Sequence, residues 1–259
     1  MHPIKSIQER KKSYILSHFS DSKYAKQLKC FKNIHEGETC FIIGNGPSLN
    51  SDDLEKIYKK CIPTFAFNRI YLMFDNTNWR PSYYISQDEK MLKNCVKQVN
   101  DMDLKYKFIP LFIRFFHGVE IENAFYFNLN SQKTEYPVME EDISRGIGNS
   151  TTVAVTAAQM AVYMGFNKIF LIGVDHSFST YQNSKGELVN DKTVKDYFTD
   201  EYNKDKADLY IPNLDASTHA FISMKRFCDA KGIEVYNATR GGKLEVFPRV
   251  DFDEVIKKL

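Results

Sequence analysis

A glycine-rich turn follows the first strongly apolar run of the chain, and its residue types suit the binding of a phosphate. The turn consists of Gly44, Asn45, Gly46, Pro47 and Ser48. The apolar run at 40–43 that precedes it is typical of a buried strand bounded by turn residues. Glycine has no Cβ atom, so a ligand can approach its backbone closely. Pro47 and Ser48 suit a helix start, where free N–H groups attract an anion. We therefore predict a nucleotide-binding loop at 44–48.

Polar residues also follow predicted strands further along the chain. The candidates are Asn68 and Arg69 after a strand at 63–67, Gln87 and Asp88 after a strand at 82–86, and Gly173, Asp175 and His176 at the end of a strand at 168–173. The carboxyl ends of parallel strands meet at one edge of a sheet. The turns at 44–48, 87–88 and 173–176 should therefore face one crevice.

The alternation of strands and helices predicts an α/β fold, with a Rossmann-like parallel sheet and helices on both faces. Further strands are predicted at 107–112, 124–129 and 233–237, and helices near 51–60, 89–100, 152–164, 217–231 and the C-terminus. We expect an N-terminal helical arm at 1–36 and a single α/β nucleotide-binding domain at 37–259. The polar, tyrosine-rich stretch at about 177–213 is typical of a lid, because long irregular segments inside compact domains usually serve function.

The composition narrows the class of protein. Hydrophobic residues make up 43% of the 259 residues, enough for a substantial core. The formal charge of +2 lacks the basic excess of nucleic-acid-binding proteins. The five cysteines show no CxxC spacing, so neither a zinc site nor a disulfide framework is indicated. No apolar run is long enough to cross a membrane. We expect a cytoplasmic protein whose arm packs on the core or on a second subunit, with peripheral contact at the inner membrane face as the alternative.

The ordered set of motifs resembles two related protein families. The set comprises 43–49, 67–71, the turn at 148–151 with a small-residue helix that ends at 164–166, and 169–175. It resembles the bacterial family 42 sialyltransferases, which use CMP-sialic acid. It also resembles the 6-hydroxymethylpterin pyrophosphokinase-like family, which is associated with polysaccharide and flagellin glycosylation. The resemblance spans residues 39–250 and implies a variant of the GT-A glycosyltransferase fold.

The sialyltransferase resemblance implies roles for individual residues. Asn45 and the backbone of Gly44 and Gly46 would approach the phosphate and ribose of the nucleotide, and Asn68 would contact the nucleotide or the sugar. The turn that holds the donor carboxylate would be formed by Gly148, Asn149, Ser150 and Thr151.

The resemblance also implies a catalytic histidine and phosphate-binding tyrosines. The base would be a histidine just before the penultimate helix, and His219 falls within about a turn of that place. His176 competes for the same role because histidine suits proton transfer at neutral pH. The nearest candidates for the tyrosines that bind the donor phosphate are Tyr181, Tyr197 and Tyr202.

The leading interpretation is a glycosyltransferase that moves an acidic sugar, such as sialic acid, from a nucleotide donor to a glycan acceptor in bacterial surface polysaccharide or glycoconjugate synthesis. It requires no cofactor. One alternative is diphosphate transfer from ATP, with Asp175 as a ligand of Mg²⁺, although the chain lacks a P-loop Lys-Ser/Thr pair. Another is a nucleotide-binding protein without catalysis. Lys243 and Arg249 could meet a phosphate or a carboxylate sugar, but ordinary solvated charge is the favoured interpretation.

Overall fold

The computed structural model describes residues 3–131, 134–183, 185–191, 193–203 and 210–259. Residues 184, 192 and 204–209 of the predicted lid, and residues 1–2 of the predicted arm, lie outside this part. The strands are β1 (Thr39–Ile43), β2 (Thr64–Phe67), β3 (Tyr83–Ile85), β4 (Lys107–Pro110), β5 (Ala124–Phe127), β6 (Leu129–Asn130), β7 (Ile147–Gly148), β8 (Lys168–Ile172), β9 (Thr180–Gln182), β10 (Leu188–Asn190) and β11 (Glu234–Asn237). The helices are α1 (Pro3–Ser17), α2 (Lys23–Leu28), α3 (Ser51–Lys59), α4 (Glu89–Asp101), α5 (Leu111–His117), α6 (Val153–Met164), α7 (Leu214–Asp229) and α8 (Phe252–Lys258).

A parallel sheet of seven strands organises the described part of the chain, in the order β11-β8-β1-β2-β3-β4-β5. Every neighbouring pair in this sheet is parallel. The chain runs outward from β1 to β5 and then returns to place β8 on the other side of β1. The order of the sheet therefore reverses between β1 and β8, and open α/β sheets bind ligands at such a point.

Helices cover both faces of the sheet, as the sequence predicts. On one face, the rings of Phe41, Phe170 and Tyr236 stack in a row across β1, β8 and β11, and Phe252 of α8 packs edge-on against Phe41. On the opposite face, Phe166, which follows α6, packs against Phe65 of β2. Alanines of α6 are buried and allow that helix to lie close to the sheet. The α/β fold with a Rossmann-like sheet is confirmed.

The N-terminal segment is helical and packs on the far edge of the sheet. Its helices α1 and α2 are separated by a 3₁₀ turn at Phe19–Asp21. Tyr24 packs edge-on against Tyr126 of the last strand, and Leu28 and Phe31 are buried in the same hydrophobic core. The division into an arm and a domain stays a prediction.

Three elements differ from the sequence-based expectation. The strand predicted at 107–112 ends at Pro110, where α5 begins, because five of the seven residues of α5 are apolar or aromatic and periodicity does not separate such short runs. No helix begins at Pro47 or Ser48. Helix α3 starts at Ser51, and the Asn50 side chain caps it by accepting a hydrogen bond from the Asp53 N–H. The segment 177–213 contains the β9–β10 hairpin and a 3₁₀ turn at Asp200–Asn203.

No helix in the described residues is long and apolar enough to span a membrane.

Candidate functional site

A cavity of about 450 Å³ lies where the order of the sheet reverses. Its wall includes Asn45 after β1, Asn68 after β2, Asp88 after β3, and Asp175 and His176 after β8. The three turns that the sequence predicted to face one crevice are therefore brought together. Residues from the N-terminal end of α6, from α7 and from the lid segment complete the wall.

The glycines of the first turn serve the contact between two strand-end turns. The Gly44 and Gly46 N–H groups donate to the carbonyl oxygens of Ile172 and Gly173, each at 2.8 Å. A Cβ atom on Gly44 would overlap the Gly173 carbonyl, and one on Gly46 would overlap the Asp175 carboxylate. The sequence predicts that these glycines allow the approach of a ligand. Both line the cavity, but the structure shows that the close neighbour of their backbone is the turn after β8.

Asn45 presents a buried hydrogen-bond acceptor that has no partner in the structure. Its Nδ2 donates to the Phe67 carbonyl at 3.0 Å and lies 3.4 Å from the Tyr202 hydroxyl. Its Oδ1 is buried and unpartnered. Exchanging the two amide atoms would place an oxygen against the Phe67 carbonyl, so Oδ1 is the atom left over. Because an unsatisfied buried acceptor is costly, this oxygen is suited to a ligand's hydroxyl or amino group.

Asp175 is a buried carboxylate held by the first turn. Its Oδ2 accepts hydrogen bonds from Ser48 Oγ at 2.7 Å and from the Ser48 N–H at 3.4 Å. Burial raises the pKa of the Asp175 carboxyl, and the bonds from Ser48 oppose this rise. Ser48 thus acts on the cavity through Asp175, since neither Pro47 nor Ser48 lines the cavity wall.

We expect Asp175→Asn to gain stability relative to the natural protein as the pH rises. A raised pKa in the folded state means that the stabilising contribution is complete below the pKa of the unfolded chain and is lost as the pH rises through the raised value. Asparagine keeps an acceptor for Ser48 and does not ionise. Urea unfolding at pH 5 and pH 8 should show a larger advantage for Asp175→Asn at pH 8. Asp175→Ala, which loses the acceptor, should be less stable by about 1–3 kcal/mol. An advantage of Asp175→Asn that does not change with pH would contradict this.

The turns after β2 and β3 are tied to each other. Asn68 has a left-handed backbone, with φ of 56°, and its carbonyl and Oδ1 accept hydrogen bonds from the Tyr84 hydroxyl and from Ser86 Oγ. Strained residues of this kind are concentrated at functional sites. Asp88 caps α4 by accepting a bond from the Met91 N–H at 3.0 Å, and burial raises the pKa of its carboxyl. Asp88 therefore both caps α4 and lines the cavity.

The structure places the two candidate histidines differently. His176 lines the cavity, with φ of 53°, and burial lowers the pKa of its imidazole. His219 does not line the cavity. It lies on α7 at an angle of about 200° from Ser217, which does line it. The His219 ring packs against Tyr136 and its Nε2 lies 3.6 Å from Glu135 Oε1.

The hydrogen bonds around His176 define its tautomer. The Thr218 hydroxyl donates its single proton to the Leu214 carbonyl at 2.9 Å. The 2.8 Å contact between His176 Nε2 and Thr218 Oγ1 must then carry a proton from the imidazole. In the neutral ring the lone pair consequently lies on Nδ1, the only atom able to accept a proton.

Two tyrosines of the lid segment cover the cavity. The rings of Tyr197 and Tyr202 stack with their centroids 3.8 Å apart, and both line the cavity. Tyr181 does not line it. The sequence does not distinguish among these tyrosines, because the segment between β8 and α7 has no periodic pattern. The sequence also gives no signal for Ser217 and Phe221, which line the cavity from one side of α7.

Arg69 holds the lid segment in place and does not line the cavity. Its guanidinium is buried and donates from Nη1 to the Tyr202 carbonyl at 2.7 Å, and the Phe198 N–H donates to the Asn45 carbonyl at 3.1 Å. The predicted nucleotide contact of Arg69 is therefore replaced by a structural one. The sequence does not show whether an arginine after a strand end binds a nucleotide or holds a neighbouring segment.

We expect Arg69→Met to loosen the lid without loosening the sheet. A hydrogen bond from a charged donor contributes about 1.5–3 kcal/mol, so amide hydrogen exchange at 193–203 should accelerate by about tenfold or more, while exchange in β1 should stay unchanged. Arg80→Met is the matched control, since the Arg80 guanidinium donates to Thr77 and Trp79 carbonyls. Equal acceleration across the whole chain would show instead that Arg69 supports global stability.

The predicted donor-carboxylate turn is divided between two places. Thr151 lines the cavity, and its Oγ1 lies 3.4 Å from Ser217 Oγ. The backbone N–H and carbonyl of Gly148 both bond to the Gln159 side chain. Ser150 Oγ donates to the Thr152 carbonyl. Asn149 lines a different cavity, of about 820 Å³, beside the N-terminal segment. Of the four residues, only Thr151 faces the predicted site.

Arg249 and Lys243 have separate positions near the glycine pair at 241–242. The Arg249 guanidinium donates to the Gly241 carbonyl at 2.6 Å and pairs with Glu245, so it holds the loop. The Lys243 N–H donates to the Asp175 carbonyl at 2.7 Å. Lys243 thereby lies directly beside the turn after β8.

Asp175 is the candidate ligand for Mg²⁺. Within the described residues, no group of three or more histidine, cysteine, aspartate or glutamate side chains could hold a metal ion. Mg²⁺ in phosphoryl-transfer sites needs only one or two carboxylates together with substrate phosphates. Asp175, which lines the cavity, fits that pattern, although one of its oxygens is engaged by Ser48. Mg²⁺ dependence stays a prediction.

Comparison with known proteins gives a family. Residues 15–181 match the model of the MptE-like family, described as 6-hydroxymethylpterin diphosphokinase MptE-like. The chain belongs to the MptE-like family. The matched range includes the turns after β1, β2, β3 and β8, whereas Tyr197, Tyr202 and α7 lie beyond it. No curated protein matches the sequence.

Similarity to a solved structure supports the fold. The MAf glycosyltransferase from Magnetospirillum magneticum AMB-1 is similar with a TM-score of 0.51 and 14% identity, over 92% of this chain and 39% of that chain. This member of the MptE-like family therefore spans about two fifths of that protein, and the likeness shows the fold alone. The Bordetella bronchiseptica enzyme WbmH in complex with NAD⁺ gives a TM-score of only 0.27 at 7% identity, over 80% of this chain and 57% of that chain.

Proposed function

We propose that this protein is a glycosyltransferase that uses a nucleotide-activated sugar. The observation that carries the proposal is the cavity where the sheet order reverses, in which the unpartnered Asn45 oxygen and neutral His176 share one wall. An acceptor for a nucleotide hydroxyl or amino group and a base for a sugar hydroxyl are the two groups that such a transfer requires. Support also comes from the fold shared with a glycosyltransferase.

We propose a CMP-activated acidic sugar, such as sialic acid, as the donor and a glycan of bacterial surface polysaccharide or glycoconjugate synthesis as the acceptor. The ordered motifs that resemble the sialyltransferases support this choice. Tyr197 and Tyr202 offer hydroxyl groups on the lid side of the cavity, and hydroxyls can donate to a phosphate. Asn45, Asn68 and Thr151 supply further polar groups in the cavity wall. Such a site would lie in the cytoplasm, where activated sugars are made.

The proposed reaction is a single displacement. His176 Nδ1 accepts the proton of the acceptor hydroxyl, and the freed oxygen forms a bond to the anomeric carbon of the donor sugar. The bond between that carbon and the phosphate oxygen breaks, and the electron pair leaves with the nucleotide. Hydroxyl and N–H donors around the cavity stabilise the charge that develops on the departing phosphate.

Diphosphate transfer from ATP is the second candidate, and the family description favours it. In that reaction Asp175 would hold Mg²⁺, which would supply positive charge for the phosphates. Burial raises the pKa of the Asp175 carboxyl, and bound Mg²⁺ would favour its ionised form. Both candidate reactions therefore use the same cavity, but glycosyl transfer depends on His176 and diphosphate transfer depends on Asp175.

Ligand-dependent thermal stability separates the candidates. The protein is heated with CMP, CMP-sialic acid, UDP-sugars, GDP-sugars, and ATP with Mg²⁺, because a ligand at about 100 times its Kd stabilises by about 2.7 kcal/mol. Stabilisation by CMP-sialic acid or another sugar nucleotide without Mg²⁺ supports glycosyl transfer. Stabilisation by ATP and Mg²⁺ alone would overturn it in favour of diphosphate transfer. Stabilisation by a nucleotide sugar without any transfer or hydrolysis would indicate a binding protein.

A further inference from the structure

A second cavity, of about 520 Å³, meets the nucleotide cavity at His176. His176 lines both cavities. Helix α7 separates the rest of them, because Ser217 and Phe221 line the nucleotide cavity while Thr218 and Ile222 line the second. Lys243 and the residues after it close the far side of the second cavity. Two spaces therefore adjoin at the one histidine of the site.

This position matches what a general base requires. The base must contact the acceptor hydroxyl while that hydroxyl approaches the donor sugar. His176 is held at the junction by its bond to Thr218 Oγ1 and by its left-handed backbone. The 820 Å³ cavity beside the N-terminal segment also adjoins the nucleotide cavity, through Gln87. Gln87 cannot accept a proton, and Thr156 Oγ1 and the Ser150 carbonyl already bond its amide.

The charges around the second cavity favour a negatively charged ligand. Lys225 pairs with Asp229 at 2.6 Å, and Glu245 pairs with Arg249, so these charges are balanced. Lys243 lines the cavity and forms no salt bridge with the described residues, although its charge helps to lower the pKa of Asp191, which does not line the cavity. The Arg226 guanidinium lies over the Tyr136 ring. Neither of these two cations is held in a salt bridge within the described part of the chain, so both can pair with an anionic ligand.

The remaining wall is apolar. Ile222, Leu244 and Val246 line it, and such side chains suit the C–H face of a sugar ring or a hydrophobic aglycone. We infer that this second cavity is the acceptor subsite and that it takes an acceptor sugar bearing a carboxylate, with Lys243 as the residue that binds this carboxylate. The inference rests on the proposed glycosyl transfer.

Direct binding of a matched pair of sugars tests the subsite. The probes are p-nitrophenyl β-D-glucuronide and p-nitrophenyl β-D-glucoside, which differ at C6, where the glucuronide carries a carboxylate and the glucoside a neutral hydroxymethyl group. Their Kd values are measured by calorimetry or ligand-observed NMR. The glucuronide should bind about threefold to tenfold more tightly, as expected for a partly exposed charge pair. Lys243→Met should remove the preference, Lys243→Arg should keep it, and Lys258→Met on α8 should leave it unchanged. Equal binding of the two sugars, or a preference that survives in Lys243→Met, would overturn the inference.

Nucleotide binding separates failure of this inference from failure of the proposed function. Lys243→Met should leave the thermal shift produced by sugar nucleotides unchanged, because Lys243 does not line the nucleotide cavity. Stabilisation by a sugar nucleotide without a glucuronide preference overturns the acceptor subsite alone. The absence of stabilisation by every sugar nucleotide overturns the glycosyl transfer and, with it, the acceptor role, even where the glucuronide preference persists.

Discussion

Replacing His176 with alanine is expected to reduce the rate of sugar transfer by about 10²–10⁴-fold, the usual contribution of a general base. Among the described residues, His176 is the only histidine that lines the cavity. Its Nδ1 is the atom free to take a proton. The affinity for the nucleotide should change little, since the Asn45 and tyrosine contacts are untouched. Single-turnover transfer from the donor that stabilises the protein measures the effect.

The dependence of the rate on pH gives an independent readout of the same role. Burial lowers the pKa of His176 below the ordinary value, although Asp215 opposes this shift. A base must be unprotonated, so kcat/KM should be level at pH 7 and above and should fall only as the pH drops through the lowered pKa. The His176→Ala variant should lack this acid limb.

His219→Ala is the matched control for His176→Ala. His219 contacts Glu135 and Tyr136 and lies away from the cavity. Its replacement should leave the transfer rate within about twofold, because exposed substitutions away from a site rarely have large effects. A large loss in His219→Ala together with full activity in His176→Ala would reverse the assignment of the base.

Replacing Gly44 with alanine should be the most destabilising small substitution at the site. The added Cβ would overlap the Gly173 carbonyl oxygen and lie 3.0 Å from Val174 Cγ2. Most of these neighbours are backbone atoms at the junction of β1 and β8. The overlap can therefore be relieved only if the turns after β1 and β8 move apart. We expect a loss of about 3 kcal/mol in the free energy of unfolding, at the upper end of overpacking effects. Nucleotide binding should weaken as well, because the same turn lines the cavity. Urea unfolding and thermal shift measure the two consequences.

Gly118→Ala provides the control for Gly44→Ala. Gly118 ends α5 in the left-handed region, with φ of 67°, and an added Cβ there would meet nothing within 4 Å. Its cost should be only the backbone strain, about 1 kcal/mol. If the two substitutions cost the same, steric contact between the two turns would not be the reason for a glycine at position 44.

The interior of the sheet could be predicted closely from the sequence, and the lid could not. The apolar runs of β1 and β8 are bounded by glycines, and their residues are almost completely buried, so local pattern and tertiary environment agree. Tyr197 and Tyr202 lie in a segment without periodicity. Tyr202 contacts Asn45 and Arg69, which are more than a hundred residues away in the chain, and no local pattern encodes such contacts.

The α/β class, the family resemblance and the strand-end turns at 44–48, 87–88 and 173–176 follow from the sequence alone, because strand burial and turn chemistry are local properties. What each side chain does depends on the fold. In the folded chain, Gly44 and Gly46 lie at the contact between the turns after β1 and β8, and Arg69 binds the lid segment. His176 faces the cavity, whereas His219 faces away from it. These outcomes follow from the parallel order of the sheet and the rotation of α7, which depend on contacts between residues far apart in the chain.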